Sequence, residues 1–466
     1  MPRTIAVVGG GAAGVLLSAH LLRAASAARP VQVLLLDPAE APGRGLPYRT
    51  TDPRHTLNAV VARLSAFDDD PEHLLRWCSA AGVPAEPGTF LQRSDFGRYL
   101  TELLPSVPVP DGSSLRHVRA TVVDLTDHPE GAVGVTLTLD DGATVRADAA
   151  VLALGTPPPA RLPEYEPWGE GYVPDPWSPD LDARAAGARR VLVVGTGLTT
   201  LDVVAHLHPL LPEARFTAVS RGGALPAAHA ADPLPPATAV PLGGATLSEA
   251  LDVVRRRVRA ERDAGRDWRA VVDAVRPQVN TVWARLTPDE QQTFQRDHAR
   301  AWENVRHRMS HAMRTHVDRL VADGVLTVGT VAEVRGAGPW DTTAFDVVVG
   351  ATGLPPLTSP GWNPLVDALL ARGLVRPHRL GTGLDLTPGA ALVDADGVGH
   401  PRVRVMGLAR RGLEWECTSV PDLRRQAAAL TDDLLAGAAA PRTAPGAATA
   451  STTTASLSRA GRPASR

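Results

Sequence analysis

Two glycine-rich stretches carry the residue types that hold a dinucleotide phosphate. They are Gly9-Gly10-Gly11-Ala12-Ala13-Gly14 and Gly195-Thr196-Gly197-Leu198-Thr199-Thr200. The first glycine of such a stretch permits a tight turn, the second lets backbone approach a pyrophosphate, and the third lets a helix pack close to a strand. A helix beginning there points unpaired N–H groups and the positive end of its dipole at the phosphates. Cofactor contacts are therefore expected at Gly9, Gly11, Ala12, Ala13 and Gly14, and at Gly195, Gly197, Leu198 and Thr199. Thr200 replaces the third glycine of the second stretch, so packing is expected to be less tight there.

The flanking segments supply the elements such loops need. Thr4–Val8 is a short apolar run before the first loop, and Leu16, Leu17, His20, Leu21 and Leu22 follow it at helical spacing. Val31–Leu36 reads as the next strand and ends in Asp37, an acid placed to accept hydrogen bonds from adenosine ribose hydroxyls. Val191–Val194 precedes the second loop, and Phe216–Val219 follows its helix. That second strand ends in Ser220-Arg221, with no acid. An arginine there pairs with a 2′-phosphate and the serine donates to it, which favours NADPH over NADH. Two nucleotide folds on one chain imply two bound nucleotides, FAD held on the first and NAD(P)H admitted to the second to reduce it.

Two further apolar runs bracket the second unit. Ala149–Leu154 runs into Gly155, and Phe345–Val349 runs into Gly350-Ala351-Thr352-Gly353. Small residues at a strand end let backbone pass close to another backbone or to a cofactor, so Gly155, Thr352 and Gly353 join the expected cofactor contacts. The fold class is α/β: two Rossmann-like dinucleotide-binding domains, the second inserted into the first, with a helical insert. The expected boundaries are 1–160 and 341–437 for the two parts of the first domain and 161–340 for the second. A helical insert is expected at about 246–320, and 438–466 forms a tail of Ala, Thr, Ser, Pro and Arg expected to be disordered.

Within the insert, Trp268, Val271, Val272, Val275, Val279, Val282, Trp283 and Leu286 follow helical spacing, with Pro277 expected to kink or split the helix. Thr287-Pro288-Asp289-Glu290 is a capping box. Phe294, His298, Trp302, Val305 and Met309 mark one face beside Arg306, His307 and Arg308. These helices are expected to pack on the nicotinamide domain; the alternative is that they line a substrate cleft and present those cations to an anion. The histidines show no pairing with carboxylates at ligand spacing, so no metal site is expected.

Composition narrows the class. The 466 residues are 44% hydrophobic, and 48 basic against 50 acidic residues leave a net charge of −2, which argues against a nucleic-acid surface. Cys78 and Cys417 alone cannot build a disulfide framework or a four-cysteine zinc site, and a reduced, cytoplasmic setting is expected. No secretory signal and no apolar run near the roughly 20 residues of a membrane span are read.

Over about residues 3–436 the sequence resembles the bacterial FAD/NAD(P)-binding proteins related to class B flavin monooxygenases. The resemblance rests on separated segments: Gly43-Arg44-Gly45-Leu46-Pro47-Tyr48, Leu57-Asn58, Phe90-Leu91-Gln92-Arg93 with Phe96-Gly97-Arg98-Tyr99-Leu100, and Asp175-Pro176-Trp177. Beyond the second loop it continues through Ser220-Arg221-Gly222, Pro226, His229, Trp302 with Arg306–Met309, Ala351-Thr352-Gly353, and Arg411–Glu416 with Pro421, Leu423 and Arg424. It implies that Arg44 lies near FAD, that Asn58 stands beside the isoalloxazine and its oxygen adduct as the catalytic candidate, and that Gly407 through Trp415 and Glu416 covers the ribityl and ring side. Cys417 stands where a threonine is expected. The activity implied is an NADPH-dependent monooxygenase that forms a C4a-(hydro)peroxyflavin and oxygenates an amine or sulfur of a small substrate with dioxygen. The alternatives are a reductase or oxidase serving a quinone or protein partner, and a non-catalytic redox sensor. The sequence has no Cys-x-x-Cys pair, which removes the dithiol version of the reductase.

Overall fold

The computed structural model describes residues 2–128, 134–232, 234 and 239–436; the stretch read above as a disordered tail, 438–466, lies outside them. The chain begins with β1 (Arg3–Val8), α1 (Ala12–Ala24) and β2 (Val31–Leu36), then α2 (His73–Ala80), α3 (Arg93–Ser106) and β3 (Ser114–Val118). An antiparallel meander follows, β4 (Val122–Asp127), β5 (Val135–Leu139) and β6 (Thr144–Ala147), before β7 (Ala149–Leu152). The chain then leaves for a second sheet, with β8 (Tyr172–Val173), α4 (Leu181–Ala185), β9 (Arg190–Val194), α5 (Leu198–Leu207) and β10 (Arg215–Ser220). Helices α6 (Leu247–Asp263), α7 (Arg269–Val275), α8 (Val279–Trp283), α9 (Pro288–Thr293), α10 (Ala299–Arg306) and α11 (His311–Ala322) intervene before β11 (Leu326–Thr330), α12 (Val331–Arg335) and β12 (Val347–Gly350). Then α13 (Pro364–Ala371), β13 (Ala391–Val393), β14 (Gly399–Val405) and α14 (Val420–Ala436) return to the first sheet.

The first sheet has the order β13-β14-β7-β1-β2-β3, parallel except for the β13–β14 pair. The second is all parallel, in the order β11-β10-β9-β12-β8. In both, the strand before the glycine loop lies centrally, and the chain runs through a helix to one neighbour and returns later on the other side. That is a topological switch point, where a crevice opens at the carboxyl ends of the strands. The central strands β1, β7, β9 and β12 are buried on both faces, so they read as continuous Val/Leu/Ala runs rather than alternating ones, while the edge strands β3 and β11 are partly exposed. Helix α1 packs between the sheet and α3 and α14. The antiparallel meander is an addition with no counterpart in the sequence reading.

The glycine loops repeat one steric arrangement. Gly9 has φ +104°, and a Cβ there would stand 2.3 Å from the carbonyl oxygen of Ala153, just past β7. Gly195 has φ +137°, and its Cβ would stand 2.1 Å from the carbonyl oxygen of Ala351, just past β12. The hydrogen bonds match too: Gly9 N–H donates to Leu36 O and Ala153 N–H to Val8 O, while Gly195 N–H donates to Val219 O and Ala351 N–H to Val194 O. At the third position, a Cβ on Gly14 would lie 1.9 Å from the Gly9 carbonyl oxygen. Thr200 occupies that position in the second loop and is fully buried.

The insert is helical, broken by its own sequence. Pro277 falls in a 3₁₀ turn, Arg276–Gln278, that separates α7 from α8. Thr287 and Glu290 form a reciprocal capping box on α9. Phe294–His298 is a π-helical turn and α10 ends at Arg306, so Met309 lies beyond the helix, not on its face. Met309 instead pairs in extended form with Ala228 and joins the core of the second unit.

Gly14→Ala is expected to lower stability by about 2–3 kcal/mol through overpacking, while Gly88→Ala, whose Cβ would meet nothing within 4 Å, leaves the urea midpoint nearly unchanged. Parallel urea titrations of the two variants check this.

Candidate functional site

Helix α1 starts at Gly11 with no side-chain cap and no acid in its first turn, and α5 starts the same way at Gly197. Some other helices are closed by a side chain, as at Thr246, Ser310 and Asn363, while others such as α3 are also uncapped; what sets α1 and α5 apart is the glycine loop that leads into each. The open ends leave the first N–H groups of α1 and α5 facing the loop, an anion cradle in both units. Gly43-Arg44-Gly45 folds over the first cradle: Gly43 N–H donates to Gly10 O at 2.7 Å, and a Cβ on Gly11 would meet Gly45 Cα at 3.6 Å. Arg44 is exposed there, its stem against Gly97 of α3. Asp37 accepts from Gly10 N–H at 2.5 Å and from Ala39 N–H at 2.8 Å, which holds the carboxylate at the end of β2 with lone pairs to spare. Gly155 and Gly353, both at positive φ with open space around them, stand at the two strand ends beside Ala153 and Ala351, and Thr352 is exposed.

In the second cradle, the Thr196 hydroxyl lies 2.8 Å from Ser220 Oγ and 2.8 Å from the Ala224 carbonyl oxygen; the carbonyl can only accept, so Thr196 donates there and Ser220 Oγ donates to Thr196 while accepting from Gly223 N–H at 3.0 Å. Arg221 is exposed and makes no ion pair among the described residues. A residue the sequence reading did not single out joins them: Arg300, from the insert, reaches Thr196 Oγ1 at 3.3 Å. It is exposed and unpaired with any acid among the described residues. Only the fold brings position 300 to position 196, so no local sequence signal could have identified it.

Asn58 and Leu198 line one cleft between the two units, with Thr56, Leu57, Arg93, Leu201, Asp202, Met309, Ser310 and Met313. The Asn58 carbonyl accepts from His229 Nε2 at 2.9 Å, and burial lowers the pKa of that imidazole, so it stays neutral. His229 also lines a larger cavity of about 570 Å³ with Asp232, Asp267, Arg269, His311 and Arg314.

Gly407, at φ +80°, donates its N–H to Gln426 Oε1 at 2.9 Å and follows Met406, whose N–H is bonded to Leu152 O beside β7. Trp415 is buried against Trp283 and Phe294 with its indole N–H unpartnered. The Glu416 carboxylate pairs with Arg306 and accepts from Trp302 Nε1 at 2.8 Å. Burial pushes the Cys417 thiol up to about 12, which keeps it protonated and unreactive.

The three basic residues of the insert do not face an open anion site. Arg306 is 5% exposed and paired with Glu416; Arg308 is 2% exposed and paired with Asp273; His307 is paired with Glu303. Nor does the insert rest on the nicotinamide-side unit alone. Asn280 exchanges two hydrogen bonds with the Glu416 backbone, and Trp283 and Leu286 pack on Trp415, which belongs to the segment returning to the first sheet. Periodicity identifies a buried face but not the surface that covers it.

A polar seam joins the units beside the cleft. Arg93 of α3 meets Asp202 of α5 at 2.6 Å, both largely buried. His206 of α5 sits 2.6 Å from Asp52 on one ring nitrogen and 2.6 Å from Asp182 on the other. Burial opposes charge on His206, but hydrogen bonds to Asp52 and Asp182 raise its pKa above 6.5. Burial also works to raise Asp52, yet the Arg54 and His206 bonds hold its carboxyl well below the usual range. Asp52, His55 and His206 thus come within metal-ligand spacing of one another, which their separation in sequence hides. His206 spends both ring nitrogens on carboxylates, while His55 has Thr50 Oγ1 at 2.8 Å and Asp202 O at 3.2 Å.

Comparisons with known proteins agree with this architecture. Residues 6–157 match the family described as FAD-NAD(P)-binding, which bears out the dinucleotide resemblance of the first unit. No curated protein matches the chain. Among solved structures, the FAD-bound cadaverine monooxygenase of desferrioxamine biosynthesis from Erwinia amylovora aligns with TM-score 0.63 at 12% identity, over 98% of this chain and 100% of that one. L-lysine 6-monooxygenase from Pseudomonas syringae aligns with TM-score 0.59 at 17% identity, over 93% and 99%. Ornithine N-hydroxylase from Kutzneria sp. 744, with reduced FAD, NADP+ and L-ornithine, aligns with TM-score 0.56 at 16% identity, over 93% and 99%. At these identities the likeness shows a shared fold, the two-unit α/β architecture read from the sequence. No helix among the described residues is long and apolar enough to cross a membrane.

The seam sets a pH dependence. His206 has a raised folded pKa, so its contribution is full below the unfolded value near 6.5 and is lost as pH rises through the folded one. Asp52 acts at the other end, its contribution lost as pH falls through its depressed folded pKa. Melting temperature is expected to fall on the alkaline side of the raised His206 pKa, and His206→Gln is expected to remove that step. Thermal melts of both proteins from mildly acid to mildly alkaline buffer check it; an identical step in the variant would show that another group titrates there.

Proposed function

We propose that this protein is an FAD-dependent oxidoreductase that takes its electrons from NADPH and acts as a monooxygenase on a small nucleophilic substrate, adding oxygen to an amine nitrogen or to sulfur. The observation that carries this reading is the cleft shared by Asn58 and Leu198, where the first unit and the second glycine loop meet. A flavin ring lying along the first unit and a nicotinamide reaching in from the second would meet there.

The residues fit both nucleotides. The open start of α1, the glycine cradle and Asp37 suit the pyrophosphate and ribose of FAD, with Arg44 above them. The open start of α5 suits the second pyrophosphate, and Arg300 stands over that loop. Arg221, exposed at the end of β10 beside Ser220 and without an acid among the described residues, suits a 2′-phosphate. Bound FAD supplies acceptance of a hydride and delivery of one atom of dioxygen. Asn58 is placed to hydrogen-bond a polar group in the cleft, and neutral His229 fixes its backbone. Leu57, Leu201, Met309 and Met313 give the cleft apolar walls beside the Arg93–Asp202 pair, and a bound ring lying on them would displace water. Choice of an amine rests on the shared fold with amine-acting enzymes, a warrant by analogy.

The deciding experiment incubates the FAD-loaded protein with NADPH, oxygen-18 gas and a panel of primary amines and thioethers. One labelled oxygen atom in a hydroxylamine or sulfoxide is the expected result. NADPH oxidation that ends in hydrogen peroxide with every compound, and is diverted by added quinone, would replace this reading with a reductase or oxidase.

Two variants separate the cofactor contacts. Arg221→Gln is expected to weaken NADPH binding about tenfold or more and leave NADH binding unchanged, because only the 2′-phosphate is lost as a partner. Arg300→Gln is expected to weaken both by a similar factor, because both carry the pyrophosphate. Titrations of the oxidised holoenzyme with NADP+ and NAD+ distinguish the patterns.

A further inference from the structure

We propose that Arg276, with Arg63 beside it, is the receptor for an anionic group, a carboxylate or phosphate, on the small molecule that enters between the Asn58 loop and the Glu416 segment. The inference rests on the oxygenase reading for the identity of that molecule as substrate, but the anion site itself rests on charge and placement.

Arg276 opens the 3₁₀ turn between α7 and α8, with its side chain partly buried. Its charged neighbours are Arg306, Glu416, Arg63 and Asp273. Both acids are already committed: Glu416 to Arg306 and Trp302, and Asp273 to Arg308. Among the described residues Arg276 has no hydrogen bond or ion pair of its own, and neither does the Arg63 side chain. Burial and the nearby Arg306 pull the Arg276 guanidinium below its usual pKa, as expected of a cation short of counter-charge. Its nitrogens are not among the sealed, unpartnered atoms of the interior, so they face accessible space.

The placement gives this charge a purpose. One turn after Arg276, Asn280 is bonded both ways to the Glu416 backbone, at 2.7 and 2.8 Å. On the other side, Arg63 ends the short 3₁₀ turn Val61–Arg63 that follows Asn58, and Arg63 is also a charged neighbour of His229, which holds the Asn58 carbonyl. Arg276 is thus carried by the segment that holds Glu416, and Arg63 by the segment that carries Asn58. Arg276 is partly buried and Arg63 exposed, so an anion between them makes its stronger charge-assisted hydrogen bond to Arg276.

The test titrates the FAD-loaded protein with butylamine, γ-aminobutyrate and inorganic phosphate and follows the flavin absorbance change, a readout that needs no turnover. γ-Aminobutyrate is expected to bind about tenfold or more tighter than butylamine, with phosphate competing. Arg276→Gln is expected to bring the two amines within about twofold, Arg276→Lys to keep part of the preference, and Arg63→Gln to lose a smaller part. Arg256→Gln, on the exposed face of α6, is expected to change nothing. Should Arg276→Gln fail to retain FAD, Arg63→Gln carries the same test. No preference in the unsubstituted protein, or a preference that survives in Arg276→Gln, overturns the proposal. Displacement of γ-aminobutyrate by NADP+ also overturns it, assigning the site to dinucleotide phosphate. A carboxylate preference without any oxygenated product leaves the anion site standing and removes only the oxygenase reading.

Discussion

A carbonyl pressed against the first glycine of each loop fixes the geometry of both nucleotide units. The Ala153 oxygen lies where a Gly9 Cβ would be, and the Ala351 oxygen where a Gly195 Cβ would be. In each case the carbonyl belongs to the end of the strand that returns beside the loop strand. The contact brings three chain segments to one point, the end of the loop strand, the loop, and the end of the returning strand. The helix start is aimed from that point, and with it the N–H groups that face a phosphate. Gly14 brings α1 against the Gly9 carbonyl in the first loop, and a buried Thr200 stands at the matching position of the second.

Two rigid cradles have to be held at a fixed separation to share one cleft, and the polar seam supplies the tie. Arg93–Asp202 is largely removed from water, and loss of either partner would strand the other charge in a buried place. His206 adds a bridge with a carboxylate on each ring nitrogen, so it links α5 to the Asp52 turn of the first unit and to α4 of the second. The tie lies next to Leu198, Leu201 and Asn58, so the width of the cleft follows from it.

The insert is a third participant. It binds the returning segment through Asn280, Trp283, Trp302 and Arg306, and reaches the second loop through Arg300. Arg306 and Arg308 spend their charge inside the protein. Arg276, partly buried, and Arg300, beside the second cradle, have no acid paired to them among the described residues.

The sequence by itself determined the parts whose signal is local. Glycine spacing, flanking apolar runs and Asp37 identify the first cradle, and Gly195, Gly197, Ser220 and Arg221 the second, because turn, strand and helix start are contiguous there. Pro277 and the Thr287 capping box are local in the same sense, and both stand where their chemistry places them. The antiparallel meander was not legible, since short half-buried strands carry a weak pattern. The end of α10 at Arg306 was not legible either, because a π turn shifts the period on which the reading of one face through Met309 depended. Tertiary structure alone decided the roles of charged groups. Arg306 and Arg308, which sequence leaves open between a packed face and a cleft, are buried in pairs, while Arg276 and Arg300 look ordinary and stand without an acid among the described residues. A charge is free or spent according to what lies within a few ångströms, and those neighbours come from segments up to hundreds of residues apart, as with Arg306 and Glu416 or Thr196 and Arg300.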